Sequence, residues 1–262
     1  MKPVLVPSAR AVVRVHDLPG HGVPIVFVHG LGCASSCDYP GVVREAPLAS
    51  RRVVLVDMLG SGFSDRPPDF AYTVAAHARV VEEVVDALEI PAVDLFGHSM
   101  GGAVAIEAAT RLGVRVRSLV LSEPNLDSGG GLFSRAIAAF AEAEYVARGH
   151  EATAREAAAT GDRVWAGSLA TSASFAMHRA AVSLVRGGEP PWREQLLAHT
   201  AHRTVLFGAR SLPDADVERL RHQGLDVAVV PEAGHSMAWE NPAGLAAAIA
   251  RACAGPGDSP GI

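Results

Sequence analysis

The stretch Leu95-Phe96-Gly97-His98-Ser99-Met100-Gly101-Gly102 sets the fold. An apolar strand runs into a tight turn bounded by glycines and continues into an Ala-rich helix, Gly101 to Leu112. Gly97-His98-Ser99-Met100-Gly101 fits G-x-S-x-G, the pattern of a serine on a sharp strand-to-helix turn. The demand is steric: the backbone at the serine is strained, so the residues two positions either side must be small. The turn lifts Oγ clear of the sheet and points the first helix amides at a reacting carbonyl. A bare G-x-S-x-G also arises by chance as a helix cap. The strand before it and the helix after it favour the nucleophile.

Outward from this turn, apolar runs alternate with helical patterns. Pro24 to Val28 and Arg52 to Val56 are short apolar runs, ended by His29-Gly30 and by Asp57-Met58-Leu59-Gly60-Ser61-Gly62. Such runs suit strands covered on both faces of a parallel sheet. Thr73 to Leu88 carries a helical stripe (Val74, Val80, Val81, Val84, Val85, Leu88), with Thr73 as N-cap and Pro91 just past the end. Ser118 to Leu121 is another strand, closed by Ser122-Glu123-Pro124-Asn125. Alternation with short links predicts a mostly parallel central sheet flanked by helices.

The alternation stops after Asn125. Residues 126–203 hold no convincing strand, and Phe133 to Arg148, Glu151 to Thr160, Asp162 to Ala170, Ser172 to Val185 and Pro191 to Ala198 read as helices. Strands resume at Thr204 to Gly208 and Val227 to Val230, and Pro242 to Cys253 is the closing helix. The predicted organisation is a core of residues 1–125 and 204–262 with an inserted helical cap, 126–203. Gly255 to Ile262 is rich in Gly and Pro and is expected to fray.

Bulk properties narrow the function. The chain has 262 residues, 49% hydrophobic, with a net charge of −5, so no basic excess points to nucleic acid or an anionic membrane. No apolar run is long enough for a transmembrane helix, and the N-terminus lacks the pattern of a signal peptide. Three cysteines argue against a disulfide framework; Cys33 and Cys37 are close enough to pair in an oxidising setting, but two reduced loop thiols is the favoured reading. A cytoplasmic location is expected. No His/Cys/Asp cluster has metal-ligand spacing, since His199 and His202 lack a third ligand, and the glycine loops lack the phosphate and dinucleotide fingerprints. No metal and no cofactor are expected.

With these pieces in order, the chain resembles the α/β-hydrolase superfamily over nearly its whole length. The carrying residues are His29-Gly30-Leu31-Gly32, the Asp57 to Gly62 loop, Gly97 to Gly102, and Gly234-His235-Ser236-Met237-Ala238-Trp239-Glu240-Asn241-Pro242. The resemblance implies the α/β-hydrolase fold, with Ser99 as nucleophile and His235, in the loop after the last strand, as its base. A free serine hydroxyl is a poor nucleophile and needs such a base. It implies an oxyanion hole made by the backbone N–H groups of Leu31 and Met100, with Gly30 and Gly32 admitting a close backbone approach. His29 and His98 are expected to organise loops, Asp57 to shape its own loop, and Glu240 to anchor the last helix.

The acid is the open position. Many members carry an Asp a few residues beyond the glycine that ends the strand Thr204 to Phe207, and here Ser211 stands in its place. Serine cannot hold a negative charge beside an imidazolium. Glu123, at the end of the preceding strand, is the first choice. Lactone hydrolases that open resorcylic macrolactones resemble the chain in this Glu-Xaa-Pro-like stretch. Asp214 is the second choice, a site without a working acid is the third, and Asn125 and Asp127 compete with Glu123. The expected substrate is a small apolar ester or lactone, held against cap residues drawn from Phe133, Ile137, Phe140, Trp165, Leu169, Phe175, Met177, Val182 and Trp192. Thioesterase, C–C hydrolase and peroxidase-like activities use the same core residues, and a non-enzymatic sensor on the same fold is the alternative of a different class. A monomer or homodimer is expected.

Overall fold

Ile25 to Val28 and Val53 to Val56 are apolar at every position because both faces of their strands are covered. Val26, Val28, Val54 and Val56 face one core; Ile25, Phe27, Val53 and Leu55 face a second core across the sheet. The computed structural model describes residues 1–254. Gly255 to Ile262, expected to fray, lies outside the described residues.

Eight strands form one sheet: β1 (Lys2–Val6), β2 (Ala11–Leu18), β3 (His21–Val28), β4 (Arg51–Asp57), β5 (Val93–His98), β6 (Val116–Ser122), β7 (His202–Gly208) and β8 (Asp226–Val230). Their spatial order is β1-β2-β4-β3-β5-β6-β7-β8. β1–β2 and β2–β4 are antiparallel, and every later pair is parallel. The short helices α1 (Ser35–Asp38) and α2 (Pro40–Val43) follow β3, and Pro40 opens the second. Next come α3 (Val74–Ala87) and α4 (Met100–Leu112). The Thr73 hydroxyl caps α3, accepting from the Ala76 amide at 3.1 Å.

Between β6 and β7 the chain is helical: α5 (Leu132–Ala138), α6 (Glu142–Glu144), a π-turn Tyr145–Gly149, α7 (His150–Ala159), α8 (Arg163–Leu169), α9 (Ser174–Arg186) and α10 (Trp192–Ala198). This segment has a small core of its own, including Ile137, Tyr145, Trp165, Leu169 and Met177. The single helix expected over Phe133 to Arg148 is broken. Ala141 is extended, the Phe140 carbonyl accepts from His178 Nε2 at 2.8 Å, and Glu142 pairs with Arg179 at 2.8 Å. Contacts with α9 thus outweigh local helix preference. The sheet resumes at His202, two residues before the expected Thr204, in register with Ser118 of β6. After β7 come α11 (Ala215–His222), β8, α12 (Met237–Glu240) and α13 (Pro242–Ala254). Helix α11 was not anticipated; only Val217 and Leu220 of its residues are buried, so its apolar stripe is too sparse to read.

α3 and α4 cover one face of the sheet, and α2 and α13 cover the other. At the carboxyl ends of the parallel strands, where open α/β sheets bind ligands, lie Gly30 after β3, Ser99 after β5, Glu123 after β6 and the loop of His235 after β8. Among the described residues, no helix is long and apolar enough to cross a membrane.

Candidate active site

Ser99 sits between β5 and α4 at φ 53°, ψ −119°, a conformation that L-residues rarely adopt. The neighbouring backbone leaves no room for side chains. A Cβ on Gly97 would lie 2.3 Å from the Gly101 carbonyl oxygen, and one on Gly101 would lie 2.3 Å from that of Val28. The Ser99 amide donates to the Ser122 carbonyl at 2.9 Å, fastening the turn to β6. The Ser99 hydroxyl has no hydrogen bond among the described residues and lines a cavity of about 350 Å³.

Glu123 follows β6 in the left-handed region, φ 39°. Its amide donates to Leu206 of β7 at 2.9 Å. Its carboxylate spans two other loops: Oε1 accepts from the Gly208 amide at 2.9 Å, and Oε2 accepts from His235 Nδ1 at 2.6 Å. The Ser211 hydroxyl also donates to it. Burial alone would push this carboxyl up, but the bonds from His235, Gly208 and Ser211 outweigh it and hold the carboxyl down at about 2. An ionised carboxylate only accepts, so His235 Nδ1 is the donor of this bond, and in the neutral ring that tautomer leaves Nε2 as the acceptor.

His235 lies in the loop after β8, its side chain half-exposed. The Gly234 amide is held by Glu240, which also pairs with Arg210 at 3.0 Å, so Glu240 anchors the histidine loop; the last helix, which it was expected to anchor, is held instead by Asn241, whose Oδ1 accepts from the Gly244 amide at 2.8 Å. The His98 ring rests on the His235 ring, with centroids 4.7 Å apart, and its Nδ1 lies 3.2 Å from the Ser122 carbonyl. Burial, and then the neighbouring His235, push His98 down to about 3, so it is neutral. His29 is buried; its Nε2 accepts from the Met58 amide at 3.0 Å, so its Nδ1–H donates to Gly30 O at 2.9 Å. Asp57 accepts from the Ser36 amide and hydroxyl and from the Phe63 amide, tying two loops together.

The Gly30-Leu31 loop runs beside the turn: a Cβ on Gly30 would lie 3.4 Å from Ser99 Cβ. The Leu31 and Met100 amides have no hydrogen-bond partner among the described residues. The Leu31 carbonyl accepts from Trp165 Nε1 of α8 at 2.8 Å. Gly32, at φ +71°, has Leu169, Met177 and Trp165 so close that an added Cβ would come within 3 Å of each. The helical segment therefore closes directly over this loop.

Ser99, Gly30, Leu31, Glu123, Asn125 and His235 all line the one cavity. Asp214 does not. Its carboxylate caps α11, accepting from the Asp216 amide at 2.8 Å, on the far side of Pro213 from Ser211. Asp127 pairs with Arg193. Of the nine aromatic and aliphatic residues expected to form the pocket, Phe133 and Trp165 line it. Ile137, Leu169 and Met177 fill the core of the helical segment instead, with Phe140 packed against it, and Trp192 is buried and bonded to Glu107. Phe175 packs edge-on against Tyr72, and Val182 does not line the cavity. The sequence offered no cue to Leu132, Val164, Leu184 and Leu245, which do line it, nor to Asp38, Tyr39 and Trp239. His199 and His202 bond to Ala109 O and Asp226, and no group of three potential metal ligands exists among the described residues. Cys33, Cys37 and Cys253 are free thiols.

A model of the alpha/beta hydrolase fold matches residues 23–179. The chain is 41% identical over 108 residues to a 2-hydroxymuconate semialdehyde hydrolase of Pseudomonas putida, a match covering 41% of the chain and 38% of that relative's length. Among solved structures, an esterase of Exiguobacterium antarcticum superposes with a TM-score of 0.79 at 18% identity, covering 96% of this chain and 98% of that one. The N-acyl homoserine lactonase AidH superposes with a TM-score of 0.75 at 22% identity, covering 95% and 94%. The strand order, the strained serine turn and the family match agree: the chain belongs to the α/β-hydrolase fold family.

Proposed function

We propose that the chain is a serine hydrolase that cleaves a carboxylic ester or lactone, with Ser99, His235 and Glu123 as its catalytic triad. The observation that carries this reading is the Glu123 carboxylate, 2.6 Å from His235 Nδ1 and bonded to Gly208 and Ser211. It fixes the tautomer in which Nε2 can take a proton. In the proposed reaction His235 Nε2 removes the Ser99 proton as Oγ attacks the carbonyl carbon. The negative charge on the carbonyl oxygen is met by the Leu31 and Met100 amides, which have no other partner among the described residues. His235 then gives the proton to the leaving alcohol, and water repeats the sequence to release the acid. The Ser99–His235 contact closes when substrate fills the site, as catalytic hydrogen bonds in ligand-free enzymes commonly do. Residues 126–203 act as the cap: Leu132, Phe133, Val164 and Trp165 supply apolar wall to the cavity.

A second reading, a C–C hydrolase, uses the same residues and is favoured by the 41% identity to the semialdehyde hydrolase. A panel of p-nitrophenyl esters, lactones and a 2-hydroxy-6-oxodienoate separates the two, with the Ser99→Ala protein as control. Ester turnover in the wild type that falls at least about 10³-fold in Ser99→Ala supports the leading proposal. Turnover of the dienoate alone selects the second reading, and undiminished ester turnover by Ser99→Ala removes Ser99 from the mechanism.

A further inference from the structure

The cavity wall is not uniformly apolar, and its fixed charges are of one sign. Three carboxylates line it: Glu123, Asp38 at the end of α1, and Asp162 just before α8. Asp38 is buried, and its Oδ1 accepts from Trp239 Nε1 at 3.1 Å. Asp162 is the N-cap of α8, accepting from the Trp165 amide at 3.0 Å. Burial, then Asp38 and, more weakly, Asp162 push the Cys33 thiol up, so both carboxylates act on one stretch of wall. No Lys or Arg lines the cavity among the described residues, and residues 255–262 contain neither. Arg135 and Arg163 are close in sequence to lining residues, but both are exposed and outside the wall. His98 is neutral.

A negatively charged substituent entering this cavity meets two obstacles. The donors beside Ser99 are the Leu31 and Met100 amides and His235, and in the proposed reaction the reacting carbonyl and the moving proton engage all three. A second anionic group would lose its water among Phe96, Met237 and Leu245 with no cation to pair with, and a buried charge is costly unless paired. In a cavity of about 350 Å³ it would also face the carboxylates. Like charges on the order of 10 Å apart cost about tenfold in affinity for each pair at an effective dielectric of about 20. This repulsion acts over distance and does not depend on how each carboxylate is turned. A neutral group meets neither obstacle.

We propose that the cavity excludes substrates that carry a free carboxylate, with Asp38 and Asp162 as the residues that set this charge selectivity. The substrate class is therefore an ester or lactone with no anionic group besides the bond that is cleaved. That class rests on the hydrolase reading above; the charge selectivity does not.

The test compares kcat/KM for dimethyl adipate with that for monomethyl adipate, which has the same chain and a free carboxylate, at neutral pH and low salt, where screening is weak. The wild type prefers the neutral diester by at least about tenfold. Asp38→Asn keeps an acceptor for Trp239 and Asp162→Asn keeps a helix cap. The double variant Asp38→Asn/Asp162→Asn narrows the preference at least about threefold. Should it fail to fold, Leu132→Arg decides. Leu132 lines the cavity and is 71% exposed, so the change puts a cation on the wall. It narrows the preference at least about threefold or the proposal falls. A preference below tenfold in the wild type, or one unchanged in the double variant, overturns the selectivity, and so does turnover of the dienoate, itself an anion. Rejection of methyl 6-aminohexanoate as strong as that of monomethyl adipate also overturns it, because lost hydration alone would then account for the exclusion. If the wild type turns over no ester, the hydrolase reading fails by itself, and calorimetric binding to Ser99→Ala decides the selectivity. Dimethyl adipate binding at least about tenfold tighter than monomethyl adipate sustains it, and any smaller difference refutes it.

Discussion

β6 and β7 run side by side in register, from Ser118 opposite His202 to Ser122 opposite Leu206, yet they end differently. β6 ends in a carboxylate, Glu123, set by a left-handed backbone and aimed at His235. β7 ends in donors: the Gly208 amide and the Ser211 hydroxyl both point at that same carboxylate. Gly208 has no room for a side chain, since an added Cβ would lie 2.5 Å from the carbonyl oxygens of Ala233 and Gly234. The carboxylate that faces His235 thus comes from the end of β6 rather than from the loop after β7, and that loop supports it. A carboxylate can change strands in a parallel sheet and still serve one imidazole, provided its second oxygen is held. The extra methylene of Glu over Asp helps span the distance.

This division of labour can be broken at either strand. The largest effect is expected at β6: Glu123→Ala lowers kcat/KM for an ester by about 10³- to 10⁴-fold, measured by steady-state kinetics. A smaller loss there than in Asp214→Ala would reverse the assignment. Returning the acid to β7 sharpens the contrast: Glu123→Ala/Ser211→Asp regains at least about tenfold over Glu123→Ala, because the new carboxylate starts from a position already bonded to the same site. No gain would mean that the β7 loop can support an acid but not present one.

Ser211→Ala removes one donor and costs about threefold to tenfold in kcat/KM. It also changes the response to acid. Glu123 is held at about 2 in the folded protein, below its ordinary 4.5. Its contribution to stability is full above the unfolded value and is lost as pH falls from about 4.5 through about 2. With Ser211 gone the folded value rises, so the loss completes at higher pH, and Tm measured from pH 5 down to pH 2 shows the shift. The smallest effect is at Asp214. Asp214→Ala costs about 1 kcal/mol of stability through the lost cap of α11, read by urea denaturation, and changes kcat/KM less than about twofold.

Strands β3 to β6 were legible because a strand covered on both faces leaves an unbroken apolar run, and the serine turn because its glycines are sterically required. Glu123 was legible as a candidate by elimination, since Ser211 cannot carry the charge and the neighbouring strand ends in a carboxylate, and by the resemblance of its Glu-Xaa-Pro-like stretch to lactone hydrolases. That Ser211 would itself hold Glu123 was not, since nothing in the sequence shows a hydroxyl's partner. The polar wall stayed hidden for a related reason. Asp38 and Trp239 are 201 residues apart, and no spacing rule joins them. In the helical segment, amphipathic pattern located the helices but not which face meets the cavity. Leu169 and Met177 therefore turned out to pack inside the segment, whereas Val164 and Leu184 face the cavity.

The bond from Trp165 to the Leu31 carbonyl, with Leu169 and Met177 pressed on Gly32, limits how such a chain can diverge. The helical segment is not an interchangeable module. A chimera that imports another family member's helices after β6 inherits a mismatched lining over Gly32 and loses the tether to Leu31. Exchanges meant to alter substrate choice will also alter turnover unless residues 30–32 travel with them. The wall of the cavity and the support of the Gly30–Gly32 loop are thus one structural unit.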